Sequence, residues 1–464
     1  MQVYNDKDLI AFNESVQDIL EKVNIINIEN TEPLKPERDR AMRIINNFIK
    51  ENNRKVYGGY ALNLLLKDKN PADAIYNDFE FADIDFYSPE PIQDLIKITN
   101  LLHDAGFKEP RGKEAQHKDT YSVFANDFLY CDITYVPKNV YNRMPFVELE
   151  GFKVIHPHFM MIDFFRMFTD PLVSYWRLEK TMPRFYKLQK HYPLLKIKNN
   201  IDMKPLSQKL YDDILNIIKN REDLIVVGGF AYNQFLKKSE NNNIRPLNNP
   251  PFELILVDYE KQGEQIKEQL KKLDQNLKFV EHYPYFQFTP HSCNVYDNQN
   301  NLILRMQGTN KKCYPYSKIN LNKNDYVIIG SFDLTLLYCM IYAIIHRTNK
   351  ENKEMNNYQK MISDLIDMRD NFFNKNSNKT LVSNTIFKSF QVDCIGNSVH
   401  PRVEYFEMIK EKKMKKQGPY IFKYEPFVSR KEPESQYIFN NTSGNPINNI
   451  KNLKLVNPID QSNL

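Results

Sequence analysis

Val56-Tyr57-Gly58-Gly59-Tyr60-Ala61-Leu62-Asn63 and Val226-Val227-Gly228-Gly229-Phe230-Ala231-Tyr232-Asn233 are two versions of one octapeptide, 170 residues apart. They contain the only two Gly-Gly doublets in a chain with 13 glycines. The same offset carried upstream lays Ile44, Ile45 and Phe48 over Ile214, Leu215 and Ile218, apolar positions at helical spacing. Self-similarity of this kind marks a duplicated unit. Each unit reads as helix, short apolar strand, Gly-Gly turn, helix. Leu224-Ile225-Val226-Val227 is apolar and β-branched, as a strand buried on both faces should be. The helices after the turns use Leu62, Leu64, Leu65 and Leu66 in one copy, Phe235 and Leu236 in the other. Further on, Phe152-Lys153-Val154-Ile155 matches Tyr326-Val327-Ile328-Ile329, each before a Phe/Leu/Met-rich helix. The fold class is therefore mixed α/β (α+β), with the repeat itself covering roughly 36–190 and 205–350.

Four segments follow: a helical N-terminal segment 1–35, a first repeat domain 36–190, a second 191–400, and a basic C-terminal extension 401–464, partly flexible. Asp8 to Val23 predicts an amphipathic helix, and Asn30 to Pro33 a linker. Asn349 to Asn357 is polar, Tyr358 to Phe373 predicts a helix, and the tail from Pro426 is rich in Ser, Asn and Pro.

The first copy carries a candidate site. Downstream of its doublet lies Phe81-Ala82-Asp83-Ile84-Asp85-Phe86-Tyr87. Residues two apart on a strand point to one face, so Asp83 and Asp85 project together and Ile84 faces the core. A second strand, Phe128 to Val136, carries Asp132 alone in an apolar run. Three carboxylates on adjacent strands form an oxygen-only site for hard cations such as Mg²⁺, or Mn²⁺ in its place. Two such ions ~3.5–4 Å apart clamp the attacking and leaving oxygens of an in-line phosphoryl displacement. The Gly58-Gly59 turn, at a helix N-terminus, offers backbone N–H groups to a phosphate, and glycine lets that phosphate approach closely. Each signal alone has a plainer reading: a turn, a solvated strand edge, a paired core acid. Their order and element types together read as a site.

This pattern resembles the polymerase β-like nucleotidyltransferase superfamily: a Gly-Gly or Gly-Ser turn, then DxD, then a third acid. Within it, the tandem layout and the strand Cys131-Asp132-Ile133-Thr134-Tyr135-Val136-Pro137 look like the catalytic subunit of poxvirus-type poly(A) polymerases. Abundant Asn, Ile and Lys, read as A+T-rich codon usage, suggest the giant-virus (mimivirus-like) branch. The resemblance covers roughly residues 36–350. It implies template-independent addition of AMP from ATP to RNA 3′ ends with two Mg²⁺ ions. In that scheme Asp83 and Asp85 hold both metals, Asp132 completes the catalytic metal's shell, and Gly58 and Gly59 seat the triphosphate. Related enzymes place a basic residue after the third acid, which points to Lys180. Tyr60 departs from the pattern, because many relatives have a Ser there that bonds a nucleotide phosphate; backbone donors or the Tyr60 hydroxyl must substitute. A viral cytoplasmic factory, with packaging in the virion, is the implied location. A homodimer or a processivity subunit fits a surface that must hold a growing tail. Rival readings stay open: a CCA-adding or oligouridylating enzyme, one that nucleotidylates a small molecule or protein, or a nonenzymatic RNA-binding scaffold.

The second copy has lost its acids. The 25 residues from Gly58 to Asp83, counted from Gly228, reach Glu253, and two further on stands Ile255. By looser alignment Asn294 stands where Asp132 does. Such a copy cannot hold two metals and is expected to pack against the first as one wall of a cleft.

Lys180 and Arg184 fall on one helical face if the helix passes Pro183, where they either neutralise a triphosphate or simply form a solvated helix face. Lys412, Lys413, Lys415 and Lys416 form the densest basic run and could meet RNA phosphates. His156-Pro157-His158 has no further ligand nearby and reads as structural.

The chain has 464 residues, 63 Lys+Arg against 58 Asp+Glu, 42% hydrophobic and 13% aromatic content: globular, with two to four domains. It has no P-loop, dinucleotide fingerprint or nucleophile elbow. Five widely spaced cysteines without a CxxC pair predict neither a disulfide framework nor a zinc finger, and a reducing, intracellular setting. The N-terminus shows no signal-peptide pattern. Leu334 to Ile345, the longest uncharged apolar run, is too short to span a bilayer and predicts a buried helix.

Overall fold

Each Gly-Gly doublet ends a strand and opens a helix, as the repeat requires. The computed structural model describes residues 5–31, 35–76, 82–309, 311–415, 421–429 and 455–456. The helices α1 (Asp6–Thr31) and α2 (Lys35–Glu51) lead into β1 (Lys55–Tyr57), and α3 (Gly58–Lys69) begins at the first glycine. Then come β2 (Ile84–Ser88), α4 (Pro91–Asp104), β3 (Arg111–Glu114), β4 (Thr120–Ala125), β5 (Phe128–Tyr135) and α5 (Lys138–Arg143). The unit closes with β6 (Phe146–Leu149), β7 (Phe152–Ile155), α6 (Pro157–Phe168) and α7 (Leu178–His191). The second unit runs α8 (Gln208–Ile218), β8 (Leu224–Val227), α9 (Gly228–Ser239), β9 (Phe252–Leu256), α10 (Tyr259–Leu273) and β10 (Lys278–His282). It continues through β11 (Ser292–Tyr296), β12 (Leu302–Gly308), β13 (Tyr314–Asn320), β14 (Tyr326–Gly330), α11 (Phe332–Asn349) and α12 (Asn352–Lys375). Last are β15 (Cys394–Ile395), α13 (Pro401–Met414), β16 (Lys423–Tyr424), α14 (Pro426–Ser429) and β17 (Leu455–Val456), which pairs in parallel with β10.

The two sheets correspond strand for strand. The first is ordered β3-β4-β5-β2-β1-β7-β6 and the second β10-β11-β12-β9-β8-β14-β13. The senses correspond as well. β1 and β8 run antiparallel to β2 and β9 and parallel to β7 and β14. β2 and β9 run parallel to β5 and β12. The short strand β16 extends the first sheet beyond β3, and β15 extends the second beyond β13.

Local chemistry explains the boundaries. All four residues of β8 are buried, as its apolar run requires. Ser207 and Ser331 accept from the N–H groups of Leu210 and Leu334 and cap α8 and α11. His156 accepts from the His158 N–H at the start of α6, the structural role expected of that His-Pro-His triplet. The apolar run Leu334 to Ile345 is buried throughout, in α11, which packs on α12, α9 and α6. Since α6 follows β7 and α11 follows β14, the two copies meet through equivalent helices. Crossing contacts tie the junction: Phe159 on Phe288, Tyr87 on Phe286, and Lys312 Nζ 3.1 Å from Asp170. Among the described residues no helix is long and apolar enough to cross a membrane.

Three expectations need correction. The N-terminal helix runs to Thr31, well past Val23, and α12 starts at Asn352 inside the polar stretch. Cys313 and Cys394 form a disulfide. Spacing could not reveal it, because the two lie 81 residues apart and meet only where β15 pairs with β13, Cys394 opposite Pro315.

Candidate active site

Strand register gathers the acids. Asp85 on β2 faces Tyr57 on β1 and Asp132 on β5, so the two carboxylates occupy neighbouring rungs of a parallel ladder. Asp83, exposed, stands one residue before β2, two before Asp85 and on the same side. Gly58 is required twice over. Its φ is +70°, and a Cβ there would collide with the Asp85 carboxylate. The helix α3 starts at this residue without a side-chain cap, so its leading N–H groups remain available beside the acids.

The electrostatics are those of crowded like charges. Burial, then Asp83, then Asp132 push the Asp85 carboxyl well above its ordinary range, against the pull of Arg177. Burial likewise raises Asp132, opposed by a 2.5 Å hydrogen bond from the Ser122 hydroxyl and reinforced by Asp83. Beneath them Tyr57 stacks on Tyr87 with centroids 3.9 Å apart and donates to or accepts from Thr134 at 2.7 Å. Among the described residues no three acids or histidines are already closed around one metal position. The donor set nonetheless has the chemistry of a hard-cation site: three oxygen-only side chains on adjoining elements, with burial and the Asp83 charge disfavouring the charged forms of Asp85 and Asp132 until a cation neutralises them.

The remaining predicted residues divide. Gly59 abuts Tyr76, whose hydroxyl a Cβ would strike. Arg184 lies over the Tyr76 ring, 5.3 Å from its centroid, so it stands beside the turn. The helix α7 does continue through Pro183, which puts exposed Lys180 on the same face as Arg184. Tyr60 turns away: its ring packs edge-on to Phe152, its hydroxyl meets Asn46, and burial pushes its pKa up to about 12. Of the basic run, Lys412 lies 3.8 Å from Glu114 and Lys415 3.9 Å from Glu411, both on or just after α13. Lys413 is exposed, and Lys416 lies outside the described residues. The residue missed from sequence is Arg177, which sits in the turn Tyr175–Arg177 and acts on Asp85. It immediately precedes α7, in the stretch already suspected of neutralising charge.

The second copy shows a substitution that fixed offsets misread. Glu253 faces Val227 as Asp85 faces Tyr57, and Gly228, φ +65°, abuts Glu253 as Gly58 abuts Asp85. Glu253 is therefore the counterpart of Asp85, and Pro251 takes the place of Asp83. Across the ladder, Asp132's partner position belongs to Arg305, opposite Glu253. Asn294 lies opposite Arg305 as Ser122 lies opposite Asp132, so Asn294 replaces Ser122 rather than the third acid. The Arg305 guanidinium reaches Asn294 Oδ1 at 3.1 Å, the Tyr358 hydroxyl at 3.0 Å and Glu253 Oε2 at 3.5 Å, over the Tyr342 ring at 3.9 Å. Burial works against that charge, but Tyr358, Tyr342 and Glu253 more than restore it, so Arg305 holds its proton more tightly than usual. A cavity of about 660 Å³ opens beside this pair, lined also by His346 and Glu351.

Comparison with known proteins places both halves. Residues 43–174 match the family model "Poly(A) polymerase catalytic subunit". Residues 186–457 match the model for the C-terminal part of the APMV poly(A) polymerase catalytic subunit. A protein of Acanthamoeba polyphaga mimivirus named as a poly(A) polymerase catalytic subunit is 33% identical over 96% of this chain and 83% of its own length. One so named from African swine fever virus (strain Badajoz 1971 Vero-adapted) is 27% identical over 34% of each chain. The crystal structure of the Megavirus polyadenylate synthase superposes with a TM-score of 0.85 at 31% identity, covering 96% of this chain and 91% of that one. The chain belongs to the poly(A) polymerase catalytic subunit family.

Proposed function

We propose that the first copy adds AMP from ATP to the 3′ end of RNA without a template, using two divalent ions held by Asp83, Asp85 and Asp132. The observation that carries this reading is the ladder that sets Asp85 beside Asp132 and against Gly58. Family membership supplies the reaction class. Asp83 and Asp85 would hold both ions, Mg²⁺ or Mn²⁺, and Asp132 would complete the shell of one. When bound, the ions neutralise developing charge on the attacking and leaving oxygens.

The chain's own residues do the positioning, which is most of phosphoryl-transfer catalysis. The leading N–H groups of α3, at Gly58 and Gly59, receive the triphosphate. With the Tyr60 hydroxyl engaged by Asn46, backbone donors carry this task. Arg184 and Lys180 flank the leaving pyrophosphate, and Arg177 offsets the acids' charge as the anionic substrate arrives. Ser122 fixes the orientation of Asp132 through its hydrogen bond.

The test is primer extension by the purified protein with Mg²⁺, a short labelled RNA and each nucleoside triphosphate separately, beside Asp83→Ala. Long tails with ATP alone, absent from the variant, are expected. Tails made equally by the variant would remove the acids from the site, and no extension with any nucleotide would move the reaction to another acceptor.

A further inference from the structure

The geometry points to Trp176 as a stacking platform for the terminal base of the RNA acceptor, an assignment that rests on the polymerase reading above. Trp176 is the only tryptophan in the chain and is 72% exposed. A side chain of this size left in water does nothing for the core, yet it is held in place. Its indole N–H donates to the Val173 carbonyl at 2.9 Å. The neighbouring Tyr175 hydroxyl is anchored to the carbonyls of Phe168 (3.1 Å) and Gln391 (2.7 Å), so the turn is tied to both α6 and the segment before β15. The Arg177 guanidinium lies over the ring, 4.7 Å from its centroid, and the same Arg177 acts on Asp85. An exposed, rigid ring at the head of α7, the helix that carries Arg184 to Tyr76 and Gly59, backed by a cation, is what base stacking needs. Every base has a π-face, and such platforms tolerate any sequence.

The surroundings select the acceptor over the incoming nucleotide. The phosphate side of the site is marked by Arg184 and Tyr76 beside Gly59, about two helical turns from Arg177, or roughly 10 Å along α7. At the Trp176 end a different set converges. Ser398, two residues before His400, which caps α13, donates to Asp170 at 3.4 Å, and Asp170 also takes the Ser174 hydroxyl at 3.5 Å, so α13 begins beside this turn. From there α13 carries exposed Arg402, Lys410 and Lys413, with Lys415 just beyond it, interspersed with exposed Glu407 and Glu411. A single strand laid by its phosphates along α13 would pass Trp176 on its way to the acids.

The test uses the full chain and its single tryptophan as a built-in probe. Short oligo(A) RNA, without ATP, should quench the tryptophan emission with the midpoint seen in the anisotropy of the same labelled RNA, and ATP with Mg²⁺ alone should leave emission unchanged. Trp176→Ala should raise the primer KM roughly 5- to 150-fold, the span of one base stack, with kcat and the ATP KM held. Trp176→Phe should recover most of that loss, which a purely structural role would not predict for an exposed ring. RNA binding by anisotropy with unmoved emission, or an unmoved primer KM in Trp176→Ala, overturns the assignment and leaves the polymerase reading standing. Emission moved by ATP alone also overturns it, giving the ring to the other substrate. Absence of RNA binding in the anisotropy itself would bring down the polymerase reading, and this assignment with it.

Discussion

One rung of the β-ladder carries Asp132 in the first copy and Arg305 in the second. Much around the rung is retained: the glycine with positive φ, the acid it abuts, the parallel partner strand, a polar residue across from it; Asp83 is not, since Pro251 stands in its place. What changes is the source of positive charge. The first copy leaves Asp83, Asp85 and Asp132 on adjoining positions with no cation of its own chain on that rung, and on the proposed reading takes its cations from solution. The second supplies a guanidinium from its own chain, hydrogen-bonded to Asn294 and Tyr358 and against Glu253. A mobile, exchangeable countercharge suits chemistry; a fixed one suits packing. The second copy keeps the architecture around the first copy's acids with Pro251 and Arg305 in the places of two of them.

The largest effect expected is on activity. Asp83→Ala or Asp85→Ala should lower tailing by roughly 10³-fold or more, while circular dichroism and RNA binding stay near those of the parent. The mirror-image change, Glu253→Gln in the second copy, should leave the tailing rate of the folded protein close to the parent's, although it strips Arg305 of its buried partner and lowers stability. If Glu253→Gln cuts activity as deeply as Asp85→Ala, the two copies are not divided as described.

Next come the two buried features of the second copy. Arg305→Met strands Glu253 without its partner, and breaking such a pair costs about 3–5 kcal/mol in denaturant unfolding. Joint replacement by Arg305→Met and Glu253→Met should cost much less, since no charge is left unpaired. A single variant as stable as the parent would show that the guanidinium does not replace the missing cations. Ile255→Ala, at a position with no exposure, should cost about 2–5 kcal/mol. A loss of ~0.5 kcal/mol or less would mean that the core around β9 collapses to fill the space.

These variants are aimed at positions that sequence reading located unevenly. The duplication was legible because the Gly-Gly turn is short and sterically constrained, so both copies preserve it in recognisable form. The three acids were legible because charge in an apolar strand is rare. The pairing of positions between copies was not. Asp85 lies 27 residues after Gly58, whereas Glu253 lies 25 after Gly228, because the loop into the second strand is two residues shorter in the second copy. A constant offset therefore set Glu253 against Asp83. Ladder register, which follows hydrogen bonds rather than residue count, sets it against Asp85. Arg305 gives the same signal as Asp132, a lone charge within Leu302-Ile303-Leu304-Arg305-Met306, but a base in a strand carries no metal-ligand pattern and so does not mark the place of a lost acid. The Cys313–Cys394 bond and the Arg177–Asp85 approach are tertiary facts with no local pattern to announce them.

The smallest effect is the most direct reading of the countercharge difference, because it measures cation binding without turnover. Asp85 and Asp132 have folded pKa values above their unfolded ones. In metal-free protein, the native state therefore keeps protons that the unfolded chain has already lost. Stability then falls as pH rises from the ordinary carboxylate value through the raised folded values, and the deficit persists above them. A divalent cation binds the ionised carboxylates, so it removes that deficit and displaces the protons. Saturating Mg²⁺ or Mn²⁺ should raise the Tm by a few degrees, roughly the effect of 100-fold saturation. The increment should shrink as pH is lowered through the window in which these two carboxyls protonate. Asp85→Asn should abolish the increment and, without metal, raise the Tm slightly by removing a buried like charge. Glu253→Gln should leave the metal-induced increment at its parent size, because Arg305 already occupies the corresponding rung. A metal increment that survives Asp85→Asn, or one that does not change with pH, would mean that the cations bind elsewhere and that the two copies differ in sequence without differing in countercharge.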